Sequence, residues 1–79
     1  MGQHPGGTLG TDIIRLDYDG SGNLLYLGIA HPNQITTEAV WQIRKFAYDG
    51  SGNLLSMLYA NGSKNFDQIW DDRAALSYA

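Results

Sequence analysis

The sequence predicts a mainly β protein, in which two duplicated β-hairpins form a small antiparallel sheet or sandwich with a short C-terminal helical turn. Two observations support this fold class. The octapeptide YDGSGNLL occurs at residues 18–25 and again, letter for letter, at residues 48–55 of a chain of 79 residues. Residues that favour strands flank both copies, and an identity of this length indicates a repeated unit.

The repeated octapeptide has the composition of a tight turn. In the first copy, Asp19 and Asn23 flank Gly20, Ser21 and Gly22. A type I turn that starts at Asp and ends in a left-handed glycine fits this spacing, because only glycine takes positive φ without steric cost. The predicted turn-forming residues of the two copies are Asp19, Gly20, Gly22, Asn23, Asp49, Gly50, Gly52 and Asn53.

The chain divides into an N-terminal arm and a single domain. Residues 1–11 contain four glycines and one proline, which predicts a flexible arm. Residues 12–79 form the predicted β domain. Its parts are a hairpin at 12–30, a linker at 31–39, a hairpin at 40–60, and a C-terminal turn and tail at 61–79.

A short helical turn is predicted from Phe66 to about Asp72. Asn65 and Gln68 have the spacing of a capping box. Phe66, Ile69 and Trp70 follow at helical spacing and would form one apolar stripe.

The pairing of the first hairpin can be projected from its turn. If Asp19 faces Asn23, then Leu16 faces Tyr26 and Ile14 faces Gly28. With this register both sides of the hairpin carry mainly apolar residues. A sheet with one solvent-exposed face should instead alternate apolar and polar residues more regularly along each strand.

Two interpretations of these apolar sides remain open. The hairpins stack on each other, or one face is kept for another protein chain. The small size of the chain favours the second interpretation, because short chains bury a small fraction of their surface. The predicted packing and interface residues are Tyr18, Trp41, Phe46, Tyr48, Phe66, Ile69 and Trp70.

The composition excludes several classes of protein. Charged residues make up 16% of the chain, against roughly 25% in ordinary soluble domains, and the net charge is −3. A basic face for nucleic acid is therefore not expected. There are no cysteines, hence no disulfides or thiolate metal sites. No apolar run has the roughly 18 residues of a membrane helix, and the first residues lack a signal-peptide pattern, so we expect a soluble chain.

Catalysis and cofactors are not predicted either. Asp71 and Asp72 are adjacent carboxylates, but sequence neighbours on a helical turn point in different directions. No nucleophile with a base, phosphate-binding glycine loop or metal-ligand cluster is recognisable. We therefore expect a protein that is not an enzyme and carries no cofactor.

Two alternative functions have some support in the sequence. Asp17, Asp19 and Ser21 resemble the opening of a calcium loop, and thus suggest a calcium-dependent adhesion module. However, Gly28 takes the place of the bidentate glutamate, and the second copy has Ala47 at the first ligand position. A glycan- or host-surface-binding module is the other alternative, with an aromatic platform formed by Trp41, Tyr26, Tyr59 and Trp70.

Three segments carry a resemblance to a known class of proteins. They are TDIIRLDYDGSGNLLYLGIA at 11–30, AVWQIRKFAYDGSGNLLSMLYANGS at 39–63 and FDQIWDDRAALSY at 66–78. Together they resemble small structural proteins encoded among the virion genes of tailed bacteriophages. The resemblance implies a multi-copy virion component of the neck, tail, fibre-attachment region or capsid surface. Its implied partners are further copies of itself, a larger virion structural protein, or both, with no nucleic acid and no membrane.

The turn motif is also similar to the Tyr-Asp (YD/RHS-type) repeats of large secreted toxin and wall proteins. Those repeats have Tyr-Asp, two variable residues and then Gly-Asn-Leu, and both copies here match that core. The repeats run in long arrays at shorter spacing, however, whereas this chain has two copies 30 residues apart.

Overall fold

The computed structural model describes residues 11–79, which form an antiparallel sheet with a short 3₁₀ helix. The strands are β1 (Ile13–Tyr18), β2 (Leu24–Ala30), β3 (Ala39–Tyr48), β4 (Leu54–Tyr59) and β5 (Gln68–Ile69), and the 3₁₀ helix spans Trp70–Ala75. The strand order is β1-β2-β3-β4, and β5 pairs with β3. The predicted mainly β fold with two hairpins is confirmed, and the hairpins lie side by side in one sheet. The predicted arm lies outside the described residues, except for Thr11.

The two hairpin turns have matching geometry. The Asp19 amide donates to the Asn23 carbonyl at 2.8 Å, and the corresponding bond from Asp49 to Asn53 is 2.9 Å long. Gly22 and Gly52 both have φ of +86°. The carboxylate of each Asp accepts hydrogen bonds from backbone amides inside its own turn. These bonds, the one from the Asn53 amide foremost, hold the pKa of Asp49 below its usual value.

A β-bulge directly after the turn shifts the register of the first hairpin. Tyr18 pairs with Leu24, but Asp17 pairs with Tyr26, so Leu25 is an extra residue on β2. The second hairpin has the same irregularity one repeat later, between Ala47 and Tyr48 on the β3 side. The bulge is thus part of the duplicated unit.

The register projected from the turn is therefore wrong beyond its first pair. The inserted Leu25 moves every later residue of β2 by one position, so Leu16 does not face Tyr26 and Ile14 does not face Gly28. The observed pairs are Leu16 with Leu27, Arg15 with Gly28, and Ile14 with Ile29. A shift of one residue exchanges the two faces of a strand. Tyr26, Gly28 and Ala30 consequently share a face that differs from that of Ile14 and Leu16.

The predicted short C-terminal helical turn is confirmed, but it begins at Trp70 instead of Phe66. Gln68 and Ile69 are extended because they pair with β3, and the helix starts at Trp70. The expected capping box is absent: the amide of Asn65 bonds to the hydroxyl of Ser63. Phe66 lies before the helix, where its ring stacks on His31 with 4.6 Å between centroids.

The core lies on one face of the sheet, beneath the 3₁₀ helix. The buried apolar side chains are Tyr26, Ala30, Trp41, Ile43, Ala60 and Trp70. Trp41 and Ile43 are fully buried on β3, the central and longest strand. The linker before β3 is fixed to the same core, because the Trp41 indole donates to the Ile35 carbonyl at 3.0 Å and the Asp71 amide donates to the Thr36 carbonyl at 3.1 Å.

Gly28 is the point of closest contact between the sheet and the helix. A Cβ atom at this position would lie 2.7 Å from Cζ3 of Trp70 and 3.2 Å from Cε3 of Trp41. Real Cβ atoms do not approach aromatic carbons to 2.7 Å, so the packing of the two indoles requires glycine in this strand.

Replacing Gly22 with alanine tests the turn. We expect Gly22→Ala to lower the free energy of unfolding by about 1–2 kcal/mol, because an L-residue at positive φ is strained. Gly20→Ala is the matched control, since Gly20 lies in the same turn without a positive φ and with open space around it. Denaturant unfolding measures both variants, and equal stabilities would contradict the turn geometry.

Replacing Gly28 with alanine tests the contact beneath Trp70. We expect Gly28→Ala to cost about 3 kcal/mol in unfolding free energy, because the added methyl group displaces the indole from the core. Urea unfolding followed by tryptophan fluorescence gives the measurement, with Gly20→Ala again as the control. A Gly28→Ala chain as stable as this control would contradict the packing.

Candidate functional site

The sheet has two faces with different surroundings. The covered face includes Tyr26, Gly28 and Ile43, and the 3₁₀ helix packs on it through Trp70, which is 5% exposed. The open face is defined by six apolar side chains. These are Ile14, Leu16, Leu27, Ile29, Phe46 and Met57. Cross-strand pairing and the alternation of side chains along strands place these six together.

Arg73 fixes the helix to the covered face. Its Nε donates to Oδ2 of Asp17 at 2.9 Å, and its guanidinium carbon lies 4.4 Å from the centre of the Trp70 ring. A second guanidinium nitrogen donates to the Trp70 carbonyl at 3.2 Å. The ion pair joins residues 56 positions apart, so it holds the helix over β1.

The segment after the helix completes the sheet beside β4. Ala79 and Tyr59 exchange two backbone hydrogen bonds of 3.0 and 3.1 Å, and the Asn61 amide donates to the Ser77 carbonyl at 2.6 Å. The hydroxyl of Tyr78 donates to the Arg73 carbonyl at 2.7 Å. The contacts from Trp70 to Ala79 thus hold the helix and the C-terminal segment on and beside the covered face.

The open face is apolar along its outer strand. Ile14 is 59% exposed and Leu16 is 48% exposed, while the other four side chains are half-buried by their neighbours in the sheet. The pairs Ile14–Ile29 and Leu16–Leu27 place four aliphatic side chains in one patch. Phe46 and Met57 face each other across β3 and β4 and continue it.

The polar residues among these side chains are engaged within the sheet. Arg44 pairs with Leu27 and Tyr59 in register, which places it on the open face. Its Nε donates to Oε1 of Gln42 at 2.9 Å, and its guanidinium carbon lies 5.4 Å from the centre of the Tyr59 ring. Gln42 in turn donates to the Lys64 carbonyl at 2.7 Å. The charge of Arg44 is therefore held against the sheet.

The residues predicted to pack or to form an interface lie in several separate places. Trp41, Ile69 and Trp70 belong to the covered face or to β5, and Phe46 belongs to the open face. Tyr18 and Tyr48 continue the alternation of Leu16 and Phe46, so they lie at the turn end of the open face. Tyr18 is 55% exposed at the end of β1, Phe66 stacks on His31, and the Tyr48 hydroxyl donates to the Leu24 carbonyl at 2.7 Å. The last bond links the two hairpins.

The aromatic residues considered for a glycan platform do not form an exposed cluster. Tyr26, Trp41 and Trp70 are at most 7% exposed. Tyr59 is half-buried beneath the guanidinium of Arg44. Sugar stacking requires an accessible ring face, and three of these four rings have none.

The carboxylates considered for calcium have separate structural partners. Asp19 accepts backbone hydrogen bonds from Ser21 and Asn23 inside the turn, and Asp17 binds Arg73. In the part of the chain that the structure describes, no group of three or more His, Cys, Asp or Glu residues could hold a metal ion. Calcium therefore gains no support from this geometry.

Three residues central to these surfaces were missed in the sequence. Gly28 carried a signal, since a glycine inside a strand pattern indicates close approach of another group. Arg73 and Tyr78 carried none, because their partners lie on other strands or depend on where the C-terminal segment folds back. Arg73 follows Asp71 and Asp72 in the sequence, but it binds Asp17.

Tyr78 gives the covered face a measurable pH dependence. Burial, reinforced by Tyr26 and opposed by Arg73, raises its pKa from 10.0 to about 12. Because the folded-state pKa is raised, the contribution of Tyr78 to stability is complete below pH 10 and is lost as the pH rises towards 12. We expect the free energy of unfolding to fall across that interval.

Tyr78→Phe is the matched variant for this titration. We expect it to lose about 1 kcal/mol at neutral pH, because the bond to the Arg73 carbonyl is removed, and to fall less steeply above pH 10. Denaturant unfolding across alkaline pH, with tyrosinate absorbance of both proteins, gives the comparison. Parallel stability curves would show that Tyr78 titrates like an exposed phenol.

Comparisons with models of protein families, with curated proteins and with solved structures found no match. Among residues 11–79 no helix is long and apolar enough to cross a membrane. The functional inference therefore starts from the two faces of the sheet and from its edges.

Proposed function

We propose that this chain is a non-enzymatic structural protein whose copies assemble with one another, alone or on a larger structural protein, through the open face. The resemblance to small proteins of tailed bacteriophages suggests where such an assembly would occur. On that basis the chain is a multi-copy virion component of the neck, tail, fibre-attachment region or capsid surface.

The observation that carries the proposal is the unequal treatment of the two faces. The covered face receives the 3₁₀ helix, an ion pair and the backbone bonds of Ala79. The open face presents Ile14 and Leu16 at 59% and 48% exposure beside four further apolar side chains. A contiguous group of exposed apolar side chains is typical of an interaction site.

A partner that covers the open face would remove little water from charged groups, so the desolvation penalty would be small. Arg44 is the charged residue among these side chains, and its guanidinium already contacts Gln42, Tyr59 and Met57. A partner therefore meets a guanidinium that has already exchanged part of its water for protein contacts. Burial of the surrounding aliphatic groups contributes about 25 cal/mol for each Å² removed from water.

The hydrogen bonds and ion pairs of the polar side chains support a structural role. Arg73 binds Asp17, Gln42 binds the Lys64 carbonyl, and Tyr48 binds the Leu24 carbonyl. Each of these groups joins two distant segments of the fold. Their hydrogen-bonding capacity is used to hold the sheet and its cover together.

Leu27→Glu tests association through the open face. Leu27 is half-buried at the centre of this face and lies directly opposite Arg44, so a glutamate there gains a cross-strand partner and the fold should persist. Light scattering on a size-exclusion column, over a range of concentrations, should show oligomers for the wild type. The variant should show at least a tenfold weaker association, since a charge now lies in the apolar contact.

Leu58→Glu is the control for this experiment. Leu58 is 39% exposed and lies opposite Lys45, which pairs with Tyr26 on the covered face, so a glutamate there also gains a cross-strand partner and should leave the oligomeric mass unchanged. A wild-type chain that stays monomeric at every concentration would overturn the proposal. So would equal weakening by the two variants, because the effect would then reflect charge alone.

A further inference from the structure

We infer that β1 pairs edge to edge with β1 of a second copy, in antiparallel orientation about a two-fold axis at Leu16. Strands β1 to β4 of the two copies then form eight consecutive strands of one sheet, and each β5 stays beside its own β3. This inference rests on the proposed self-association and adds to it a contact surface, a symmetry and a register.

Within the described part of the chain, the outer edge of β1 is unpaired along its whole length. At the other edge of the sheet, Ser77–Ala79 bonds to Tyr59 and Asn61, and β4 before Tyr59 also presents unpaired backbone groups. However, β4 carries no charged residue, whereas β1 carries Arg15 and Asp17, which can pair with a second copy. In residues 11–79, no strand pairs with the outer edge of β1. This six-residue strand contains no proline, and its own bonds to β2 leave a row of free backbone groups, which is a template for another strand.

The first turn determines which backbone groups face outwards. The Asp19 amide donates to Asn23, so it points towards β2. Backbone groups of alternate residues point to opposite edges of a strand, so those of Ile14, Leu16 and Tyr18 face away from the sheet. A two-fold axis at Leu16 makes these outward groups meet, with Leu16 opposite Leu16 and Ile14 opposite Tyr18 of the second copy.

The charges on β1 select this register among the symmetric ones. An axis at Leu16 places Arg15 of each copy opposite Asp17 of the other copy, so two symmetric ion pairs form. An axis at Arg15 would oppose two arginines, and an axis at Asp17 would oppose two aspartates, which is unfavourable for directly facing side chains. The self-complementary arrangement is the one that an isologous contact requires.

Both charges are available for this contact. Arg15 is exposed and has no ion-pair partner within the described residues. Arg73 occupies Oδ2 of Asp17, whose side chain is 35% exposed, so Oδ1 can still accept a hydrogen bond. The predicted intermolecular pair therefore extends an existing ion pair without breaking it.

The apolar residues of β1 gain contacts in the same arrangement. Ile14 and Tyr18 are 59% and 55% exposed, and they would face each other across the junction as a β-branched and aromatic pair. The two copies of Leu16 would meet at the axis. The open faces of both subunits then form one continuous surface of twice the width.

Exchange of the charges gives the first test. Arg15→Asp creates aspartates at both positions, and Asp17→Arg creates arginines at both, so we expect each variant alone to associate at least tenfold more weakly than the wild type. An equimolar mixture of the two restores opposite charges at all four positions. Light scattering should therefore recover a dimer from the mixture, and a mixture as weak as its components would overturn the inference.

A cysteine scan tests the register without relying on Asp17, whose replacement also removes the bond to Arg73. The chain has no cysteine of its own, so any disulfide in Leu16→Cys must join two copies. Directly opposed residues of a hydrogen-bonded pair have Cα atoms about 5.5 Å apart, within the range of a disulfide. We expect mild oxidation to convert this variant into a covalent dimer.

Ile14→Cys is the matched control. It is at least as exposed as Leu16, but its two copies would lie about 14 Å apart because Ile14 and Tyr18 are four positions apart along the strand. Equal or faster cross-linking of Ile14→Cys would overturn the register. If Leu27→Glu weakens association but the charge variants do not, the edge contact is refuted and the proposed function stands. A monomeric wild type would refute both.

Discussion

The contact of the Trp70 indole with the backbone at Gly28 is the constraint on which the rest of the structure depends. A tryptophan can lie flat against a strand where there is no side chain beneath it, and this site also brings Trp70 within 6.0 Å of the Trp41 ring. Burial of a tryptophan is worth several kcal/mol in a small protein, about 3–5 kcal/mol by truncation to alanine. With a chain of this size, that is a large share of a typical total stability.

The same contact gives the sheet its two unlike faces. Once the 3₁₀ helix lies over Gly28, Arg73 reaches Asp17, and the following segment reaches Tyr59. Every one of these contacts is made on or beside the covered face. The aliphatic side chains of β1 and β2 that point the other way are left with their sheet neighbours as partners. A role in assembly is consistent with a sheet that has one face packed against the 3₁₀ helix and an apolar open face.

Local chemistry could be predicted from the sequence, and long-range geometry could not. The turns follow from Asp, Asn and glycine at fixed positions, and the mainly β class follows from the repeat around them. The bulge could not be predicted from the sequence, because Leu24 and Leu25 are the same residue type and nothing marks one of them as the extra residue. That single residue reversed the faces of the first hairpin, and with it the set of residues on the open face.

The C-terminal segment shows the same limit in another form. Phe66, Ile69 and Trp70 have helical spacing, but pairing of Gln68 and Ile69 with β3 imposed an extended backbone before the helix could begin. Tertiary pairing overrode local propensity. The ion pair between Arg73 and Asp17 could not have been read at all, since neither residue has a local pattern that points to the other.

The sequential order of β1 to β4 has a consequence for how the chain folds. Each of these strands pairs with its neighbours in sequence, so both hairpins can form from local contacts before the 3₁₀ helix arrives. Until Trp70 packs on Gly28, the newly formed sheet exposes apolar side chains on both faces and can aggregate through either face. Packing of the helix on Gly28 withdraws one apolar face from such contacts and leaves the open face accessible.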